Sequence, residues 1–600
     1  MEAPLMFAKV LVANRGEIAV RVFRTLREMG IASVAVYSEV DRDALFVQHA
    51  DEAYLLGPGP ATESYLNIPR LLEVVRESGA EAVHPGYGFL AENAGFARAL
   101  GEAGITWIGP PPDAIEAMGS KTGARSLMDR AGVPIVPGVT DPVPDLAAAV
   151  PIAESIGYPV AVKAAAGGGG KGFRVAPAPE ALGEAFEGAR REGERFFADG
   201  TVYLERYLPR PRHVEIQILA DAHGSAIWLG ERDCSVQRRH QKLVEETPSP
   251  VVDDDLRRRM GEASVTAARA VGYTSAGTLE YLVSGSEFFF LEMNTRIQVE
   301  HTVTEEVCGL DLIREQVRVA AGEPLSITQD GVAPRGHAFE CRINAEDATA
   351  RFMPSPARIS AYREPAGPGV RVDSGVRAGS SVPEIYDPMV AKLIAWDVDR
   401  ESARRRMLRA LDEYVIEGPR TLIPFHRFLL RQEEFIAGGA CHDLLARMSE
   451  EPTPLPDEGG GGLDLPGDDA PEEEPLAERR FTAEVDGRRF EVALRFPERE
   501  AGGSGGAPPP APKKAKRSRA GGGASSDGAA PEVVATPMQG TVLRVLVQIG
   551  QEVDAGDVVC IVEAMKMENE VAAHRPGTVR ELHVSEGQAV QADEPIAVIS

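Results

Sequence analysis

Cysteine, positive charge and long apolar runs are all scarce in this sequence, and each shortage excludes a class of protein. The five cysteines among 600 residues are scattered, without the spacing of a metal site or a disulfide framework. The net charge of -27 argues against nucleic acid as a partner. No stretch approaches a membrane span, and the N-terminal residues lack the apolar segment of a signal peptide. We therefore expect a soluble, cytoplasmic protein that binds neither membranes nor nucleic acid.

The length is too great for one hydrophobic core and predicts about three to five domains. Near the N-terminus, residues 10–13 have the composition of a buried strand. The apolar spacing of Ile18, Val22 and Leu26 then predicts a helix. A second strand at residues 32–37 closes a βαβ unit, so this region predicts a doubly wound α/β domain.

A glycine-rich segment joins two predicted strands in the next part of the chain. Residues 160–163 form a strand that ends in Lys163, and residues 167–172 are mostly glycine before a second strand at 173–175. A glycine run is most often a linker, but between two strands it predicts a hairpin whose N–H groups can close over phosphates. Lys163 and Lys121 are candidate phosphate partners, although each taken alone is a plausible surface lysine.

Two further strands carry carboxylates in otherwise apolar surroundings. Glu280 lies in one strand, and Glu292 and Asn294 lie two residues apart in another, so they point to one face. Their oxygens are the hard ligands that Mg²⁺ prefers, whereas the simpler alternative is a structural salt bridge. The dense polar cluster at residues 296–301 directly follows the second strand and favours a functional site.

The C-terminal region is nearly symmetric about Lys566, which stands between Met565 and Met567. Residues 541–553 and 578–590 each show short alternating strands that end in a glycine turn. This pattern predicts a small β-sandwich with the lysine at a hairpin tip. A lone lysine there would be a solvated turn residue, but the repeat and the flanking methionines indicate a modified lysine.

Composition also marks two linkers and a hairpin between these regions. Residues 449–478 are acidic and rich in proline and glycine, which predicts a disordered linker. Residues 479–498 alternate around an Asp-Gly turn and predict a β-hairpin. Residues 499–532 contain a basic cluster, for which a solvated linker is a better interpretation than a nuclear or nucleic-acid signal. At about 35 residues, this linker reaches at most ~120 Å and averages ~30–35 Å as a coil.

Several of these motifs together resemble known families. Residues 232–242 and 291–301 look like the metal and bicarbonate site of biotin carboxylase, an ATP-grasp enzyme. Residues 340–346 and 386–389 are similar to that family's C-terminal domain, and residues 563–568 resemble a biotinyl domain. The related lipoyl domain usually has an acidic residue where Met565 stands. The order of the parts looks like the α subunit of an acyl-CoA carboxylase, of acetyl- or propionyl-CoA type.

The resemblance implies a multidomain α/β and α+β fold that ends in an all-β biotinyl/lipoyl-like sandwich. It implies a biotin carboxylase N-terminal α/β domain at 7–117, an ATP-grasp domain at 118–328 with a mobile lid at about 137–208, a biotin carboxylase C-terminal domain at 335–448, and a biotinyl carrier domain at 533–600. Ala166 stands where many relatives begin a fifth glycine of the lid, and we expect little effect because its N–H remains.

The family's roles carry over to residues of this sequence. The implied ATP ligands are Lys121, Lys163, Gly169, Gly170, Glu205, Leu208, His213 and His240. Mg²⁺ or Mn²⁺ would be held by Glu280, Glu292 and Asn294. Bicarbonate would be bound by Lys242, Arg296 and Val299, with Glu300 as general base, Arg342 stabilising the biotin oxygen and Lys566 carrying covalent biotin.

The implied function is ATP- and bicarbonate-dependent carboxylation of the chain's own biotin. No carboxyltransferase pattern follows residue 448, so a separate carboxyltransferase β subunit is expected in an α/β hetero-oligomer, with a biotin protein ligase to attach biotin. The alternatives are a subunit of another biotin-dependent carboxylase, acting on pyruvate or methylcrotonyl-CoA, a passive biotin or lipoate carrier, and a carbamoyl-phosphate-type ligase. The intact polar cluster argues against a passive carrier, and the biotinyl domain argues against the carbamoyl-phosphate type.

Overall fold

The structure is a computed structural model of the chain. It describes residues 6–600 except for 140–141, 165–172, 198–199, 240, 452, 456–475, 486–487, 498–532, 537–539, 565–566 and 591–593. The described chain forms two compact units, the first made of residues up to 456 and the second of most of the remainder. Among the helices of the described residues, none has the length and apolarity needed to span a bilayer.

The N-terminal part is a five-stranded parallel sheet with helices on its faces. Its elements are β1 Lys9–Val12, α1 Gly16–Glu28, β2 Ala32–Ser38, α2 Leu45–His49, β3 Glu52–Gly57, α3 Ile68–Ser78, β4 Ala82–His84, α4 Ala94–Glu102, β5 Thr106–Trp107 and α5 Pro112–Gly119. The strand order β3-β2-β1-β4-β5 reverses direction at β1, which is the doubly wound arrangement. Ile18, Val22 and Leu26 are buried on α1, as their spacing predicted.

A three-stranded antiparallel sheet with its own apolar core follows. Its region contains α6 Lys121–Arg130, α7 Leu146–Ile156, β6 Val160–Ala164, β7 Phe173–Ala176, α8 Leu182–Phe197 and β8 Val202–Arg206. Strands β6 and β7 pair antiparallel, which confirms the predicted hairpin strands. The glycine segment between them, at 165–172, lies outside the described residues.

An eight-stranded sheet forms the centre of the first unit. This region comprises β9 Arg212–Ala220, β10 Ala226–Arg238, β11 Gln241–Thr247, α9 Asp254–Ala270, β12 Ser275–Ser284, β13 Glu287–Asn294, α10 His301–Cys308, α11 Leu312–Ala320, β14 His337–Asn344, β15 Glu346–Asp347, β16 Met353–Pro354, β17 Ala361–Arg363, β18 Val370–Ser374, β19 Met389–Asp397, α12 Arg400–Glu413, β20 Val415–Glu417, α13 Ile423–Leu430, α14 Glu433–Ile436 and α15 His442–Glu450. The strand order is β13-β12-β9-β10-β11-β14-β19-β18. The predicted ATP-grasp and C-terminal domains therefore share one continuous sheet, joined where β11 pairs with β14.

The second unit is entirely β in its described residues. It contains the predicted hairpin as β21 Leu476–Val485 and β22 Arg488–Pro497, followed by β23 Val533–Ala535, β24 Gly540–Val545, β25 Glu552–Val553, β26 Val558–Ala564, β27 Met567–Ala572, β28 Gly577–Leu582, β29 Ala589–Val590 and β30 Pro595–Ile599. The last eight strands form two four-stranded sheets around an apolar core, which confirms the predicted β-sandwich. Strands β26 and β27 are neighbours in one sheet and flank residues 565–566.

Candidate active site

A rank of charged residues crosses four neighbouring strands of the central sheet. Glu292 pairs with Glu280, Glu280 with Glu215, and Glu215 with Arg232, on β13, β12, β9 and β10. Residues directly opposite each other on antiparallel strands have side chains on the same face. Strand pairing therefore collects three carboxylates and a guanidinium from four separate sequence segments on one face of the sheet.

Lys242 on β11 gathers the carboxylates around one ammonium group. Its Nζ lies 2.6 Å from Glu300 Oε1, 2.7 Å from Glu215 Oε2 and 2.9 Å from Glu280 Oε1. Glu300 is the residue directly before α10, in the polar segment that follows β13. The predicted bicarbonate ligand Lys242, metal ligand Glu280 and general base Glu300 are thus brought into direct contact.

Glu300 is held between two cations in a buried position. Arg342 Nη2 on β14 donates to Glu300 Oε2 at 2.9 Å, opposite the Lys242 contact. Burial disfavours the Glu300 carboxylate, but Lys242, Arg342 and Arg232 outweigh that cost and hold its pKa well below its usual range. Glu300 is therefore an ionised carboxylate at neutral pH, as a proton acceptor must be.

Arg232 binds several residues of this cluster through its side chain. Sequence reasoning assigned no role to Arg232, Glu215 or Gln298. The guanidinium is fully buried and donates to side-chain oxygens of Glu215, Gln217, Thr278, Gln298 and Thr304 at 2.6–3.1 Å. Gln298 in turn donates to Glu280 Oε1 at 2.9 Å. One signal in the sequence was available, because Glu215 is a lone carboxylate between Val214 and Ile216 in an apolar strand.

The predicted metal ligands form a set that fits a hard divalent cation. Glu280 and Glu292 are partners on paired strands, and Asn294 Nδ2 donates to Glu280 Oε1 at 2.9 Å. Two carboxylates and an amide are oxygen donors of the kind that Mg²⁺ and Mn²⁺ prefer. Within the described chain, a second acidic grouping places ligand atoms of His213, Glu215 and Glu280 within 4.8 Å of one another.

Arg296 and Val299, the other predicted bicarbonate residues, lie beside this set. Arg296 Nη2 donates to Asn294 Oδ1 at 2.9 Å, and its Nε donates to Glu92 Oε2 at 3.2 Å. The carbonyl oxygen of Val299 accepts from Lys392 Nζ at 2.8 Å. Backbone and side chain of the segment after β13 are therefore both fixed by charged groups.

The predicted nucleotide ligands fall into two groups. Lys163 and Glu205 form an ion pair between β6 and β8, and Leu208 packs in an apolar cluster with Val136 and Phe289. His213 instead contacts the acidic cluster, with Nε2 2.8 Å from Glu280 Oε2.

Burial disfavours the His213 cation, but Glu280 outweighs it and raises the pKa of His213.

Lys121 is the first residue of α6. The other predicted residues, Gly169, Gly170, His240 and Lys566, lie outside the described part of the chain.

Four family models match consecutive parts of the chain. "Biotin carboxylase, N-terminal domain" matches residues 6–115, and "Carbamoyl-phosphate synthase L chain, ATP binding domain" matches 120–328. "Biotin carboxylase C-terminal domain" matches 340–447, and "Biotin-requiring enzyme" matches 532–599. Three of these models match the unit that holds the charged cluster, and the fourth matches the β-sandwich.

Three curated relatives align with 72–99% of this chain. The biotin-dependent acyl-coenzyme A carboxylase alpha3 subunit of Mycobacterium leprae is 45% identical, over 99% of this chain and 98% of the relative. The propionyl-CoA carboxylase alpha chain of Ruegeria pomeroyi is 40% identical, over 98% and 99%. A pyruvate carboxylase subunit of Methanothermobacter thermautotrophicus is 54% identical, over 72% of this chain and 88% of the relative.

One solved structure that is similar to this chain contains a nucleotide, magnesium and bicarbonate. It is the biotin carboxylase domain dimer of Hydrogenobacter thermophilus 2-oxoglutarate carboxylase, in complex with MgADP, ADP and bicarbonate. It is 46% identical, covers 74% of this chain and 99% of its own, and superimposes with a TM-score of 0.66.

Proposed function

This chain belongs to the biotin carboxylase family, and on that premise we propose that it is the α subunit of an acyl-CoA carboxylase of acetyl- or propionyl-CoA type. The enzyme is an ATP-dependent ligase that carboxylates biotin. Its cofactors are covalent biotin, ATP and Mg²⁺ or Mn²⁺, and bicarbonate is its substrate. The proposal adds Lys566 as the biotinylated residue and the acyl-CoA as the final acceptor.

The observation that carries the acyl-CoA assignment is the extent of the match. The M. leprae acyl-CoA carboxylase relative aligns over 99% of this chain. The aligned length includes the residues that match the biotin-requiring enzyme model and those between 447 and 532, which lie between the last two matched models. A pyruvate carboxylase subunit is the second candidate, because the M. thermautotrophicus relative has the higher identity of 54%. That identity covers only 72% of the chain, which is why we place it second.

In the proposed reaction, Glu300 removes the proton from bicarbonate, and a bicarbonate oxygen then attacks the γ-phosphorus of ATP as ADP leaves. Lys242, Arg296 and the backbone at Val299 would bind the bicarbonate. Lys242 contacts Glu300, Arg296 contacts the metal ligand Asn294, and Val299 is held by Lys392, so positive charge lies along the whole segment. A metal held by Glu280, Glu292 and Asn294 would offset negative charge on the phosphates.

The two cations on Glu300 also suggest how its basicity is controlled. Each cation stabilises the carboxylate, so a Glu300 held by both Lys242 and Arg342 has little affinity for a proton. When bicarbonate takes over the Lys242 contact, Glu300 loses part of that stabilisation and its proton affinity increases. Binding of the substrate would in this way activate the base.

The carboxyphosphate formed by that attack would pass its carboxyl group to the ring nitrogen of biotin, which gives up its proton to the departing phosphate. Arg342 would stabilise the negative oxygen of biotin in this step. Its guanidinium already spans Glu300 and Glu245, so one end can turn to biotin while the other stays anchored. Carboxyphosphate hydrolyses readily, so the lid that we expect around β6 and β7 would exclude water while it exists.

The test uses the purified, biotinylated full chain. We expect ATP hydrolysis only with bicarbonate present, faster hydrolysis with free biotin, and no carboxylation of any acyl-CoA by the chain alone. Addition of a copurified carboxyltransferase β subunit should give carboxylation of acetyl-CoA or propionyl-CoA. Carboxylation of pyruvate in place of both would establish the second candidate.

The proposed partners follow from the same assignment. A carboxyltransferase β subunit would form an α/β hetero-oligomer with this chain in the cytoplasm, and a biotin protein ligase would modify Lys566. Affinity purification of the tagged chain from its host, followed by mass spectrometry and a panel of acyl-CoA substrates, identifies the carboxyltransferase. Acyl-CoA carboxylation by the pure chain would refute the two-chain assignment.

A further inference from the structure

Two buried carboxyl groups lie behind Arg342 and are not used in the proposed reaction. Glu245 on β11 and Glu340 on β14 are directly paired across the two strands, and both are fully buried. Their side chains share a face of the sheet with Arg342, which is two residues beyond Glu340 on the same strand. This pair of acids therefore adjoins the site through Arg342, on the two strands that carry Lys242 and Arg342.

One oxygen of each acid is occupied and the other is not. Glu245 Oε1 accepts from Arg342 Nε at 2.6 Å, and Glu340 Oε2 accepts from the hydroxyl of Thr302. Within the described part of the chain, neither Glu245 Oε2 nor Glu340 Oε1 has a hydrogen-bond partner. Buried acceptors without a donor are costly. Strand pairing makes the two carboxyl groups neighbours, so one proton shared between them would give both oxygens a partner.

The balance of charge around the pair leads to the same result. Arg342, and Lys392 from β19, are the cations that face it, while Glu300 before α10 is a third carboxylate sharing Arg342. Lys392 also lies 3.4 Å from Glu17 and 4.0 Å from Asp373, so its charge is divided. The thiols of Cys341 and Cys234 are the other titratable neighbours, and burial raises the pKa of each well above its usual range, so they remain neutral.

We propose that Glu245 and Glu340 hold one proton between them and act as a pair of positioning residues for Arg342. With one proton, the pair carries a single negative charge, and Arg342 is free to divide its guanidinium between Glu245 and the biotin oxygen. After loss of that proton, two negative charges draw Arg342 back into the wall and away from biotin. The inference rests on the proposed function, since it concerns how Arg342 meets its substrate.

The acidities agree with this arrangement. Burial, opposed by Arg342 and reinforced by Glu340, raises the pKa of Glu245 to about 8. Burial, opposed by Lys392 and Arg342, raises the pKa of Glu340 to about 7. The two acidities belong to the pair rather than to either residue, and the shared proton is the last of its protons to leave, as the pH rises through the mildly alkaline range.

The experiment uses the full chain with Lys566→Arg, so that added free biotin is the only acceptor. Bicarbonate- and biotin-dependent ADP release is measured from pH 6 to 9. In this parent chain the KM for biotin should rise with pH through one ionisation. Glu340→Gln supplies an amide N–H in place of the shared proton, so its biotin KM should be independent of pH and equal to the low-pH value of the parent.

A second variant and an infrared titration separate positioning from general damage. Glu245→Gln weakens the charge-assisted bond that anchors Arg342, so the biotin KM should rise by about 10-fold while the KM for ATP stays unchanged. The infrared band of a protonated carboxyl group should disappear between pH 6 and 9 in the parent, and its amplitude should be reduced in both variants. This measurement decides the matter from Glu245→Gln if Glu340→Gln does not fold.

The matched control is Glu246→Gln, on the next residue of β11. Glu246 is also buried, but it binds His337 and Arg400 rather than Arg342. Its biotin KM should keep the pH dependence of the parent. If Glu340→Gln also keeps that dependence, or the infrared band is the same in all variants, the shared proton is refuted. If the parent shows no bicarbonate-dependent ADP release at any pH, the proposed function itself has failed.

Discussion

The central sheet of the first unit and the β-sandwich of the second bury opposite kinds of side chain. The sheet holds Glu215, Glu300 and Arg232 at 2% exposure or less, within a network of ion pairs. The described core of the sandwich consists of valine, isoleucine, leucine, alanine and cysteine. In the proposed function the sandwich only carries biotin, which needs no buried charge, whereas the sheet must bury its charges to do chemistry on them.

The largest expected effect concerns Lys566. Lys566→Arg should abolish biotin attachment and carboxylation of the carrier, because arginine cannot form the amide bond to biotin. Intact mass spectrometry should find one biotin adduct on the parent chain and none on the variant. Lys513→Arg, in the predicted linker, is the matched control and should keep the adduct. A biotin adduct on the Lys566 variant would show that another residue carries the biotin.

Within the sheet, the base and the metal ligand should respond differently to the same substitution. Glu300→Gln should lower turnover by roughly 10²–10⁴ with ATP·Mg²⁺ affinity preserved, because the amide is isosteric but cannot accept the proton. Glu292→Gln should weaken nucleotide binding and shift the metal dependence as turnover falls. Titrations of ATP binding and of bicarbonate-dependent ADP release measure both. If Glu300→Gln loses nucleotide binding as severely, Glu300 belongs with the metal ligands.

Stability should depend on buried charge in the sheet and on apolar packing in the sandwich. Arg232→Met leaves Glu215 and Gln298 without their buried partner and should cost about 3–5 kcal/mol in the first unit. Arg258→Met breaks only exposed ion pairs and should leave the stability of the first unit almost unchanged. Ile596→Val in the sandwich should cost about 0.5–1.5 kcal/mol in the second unit.

The measurement is calorimetric unfolding of the full chain, in which we expect a separate transition for each unit. An Arg232→Met chain as stable as the parent would show that the buried network contributes nothing net to folding.

The smallest effect is a difference in pH dependence between the two units. Burial raises the pKa of Glu17, Glu340 and Glu346 to about 7 and that of Glu245 to about 8, so the folded first unit binds more protons than the unfolded chain. Its stability should therefore fall as the pH rises from about 4.5 to about 8.

Other carboxyl groups of the first unit act in the opposite direction. Neighbouring cations outweigh burial and lower the pKa of Glu246, Glu300 and Asp373, so their contribution is lost as the pH falls below about 4. The unfolding temperature of the first unit should thus be highest at mildly acidic pH and fall on either side. The described core of the sandwich has no carboxyl group, so its transition should shift less. Equal shifts in both units would contradict this origin.

The sequence alone determined the features that depend on local patterns. Alternation and glycine turns predicted the sandwich, and the strands that flank residues 565–566 follow from the same alternation. The βαβ start, the strands on either side of the glycine segment and the Asp-Gly hairpin were equally readable. Each of these depends on residues close together in the chain, where side-chain period and turn chemistry fix the backbone.

Only the tertiary structure decided which charged groups meet. Lys242, Glu300 and Arg342 come from three distant segments, and their contact depends on β11 pairing with β14 across what the sequence divided into two domains. No role could be assigned to Glu215, Arg232 or the Glu245–Glu340 pair until strand pairing placed them on buried faces beside their partners. The reason is physical, because strand register chooses the facing partners and burial sets the strength of their charges, and neither is a property of the local sequence.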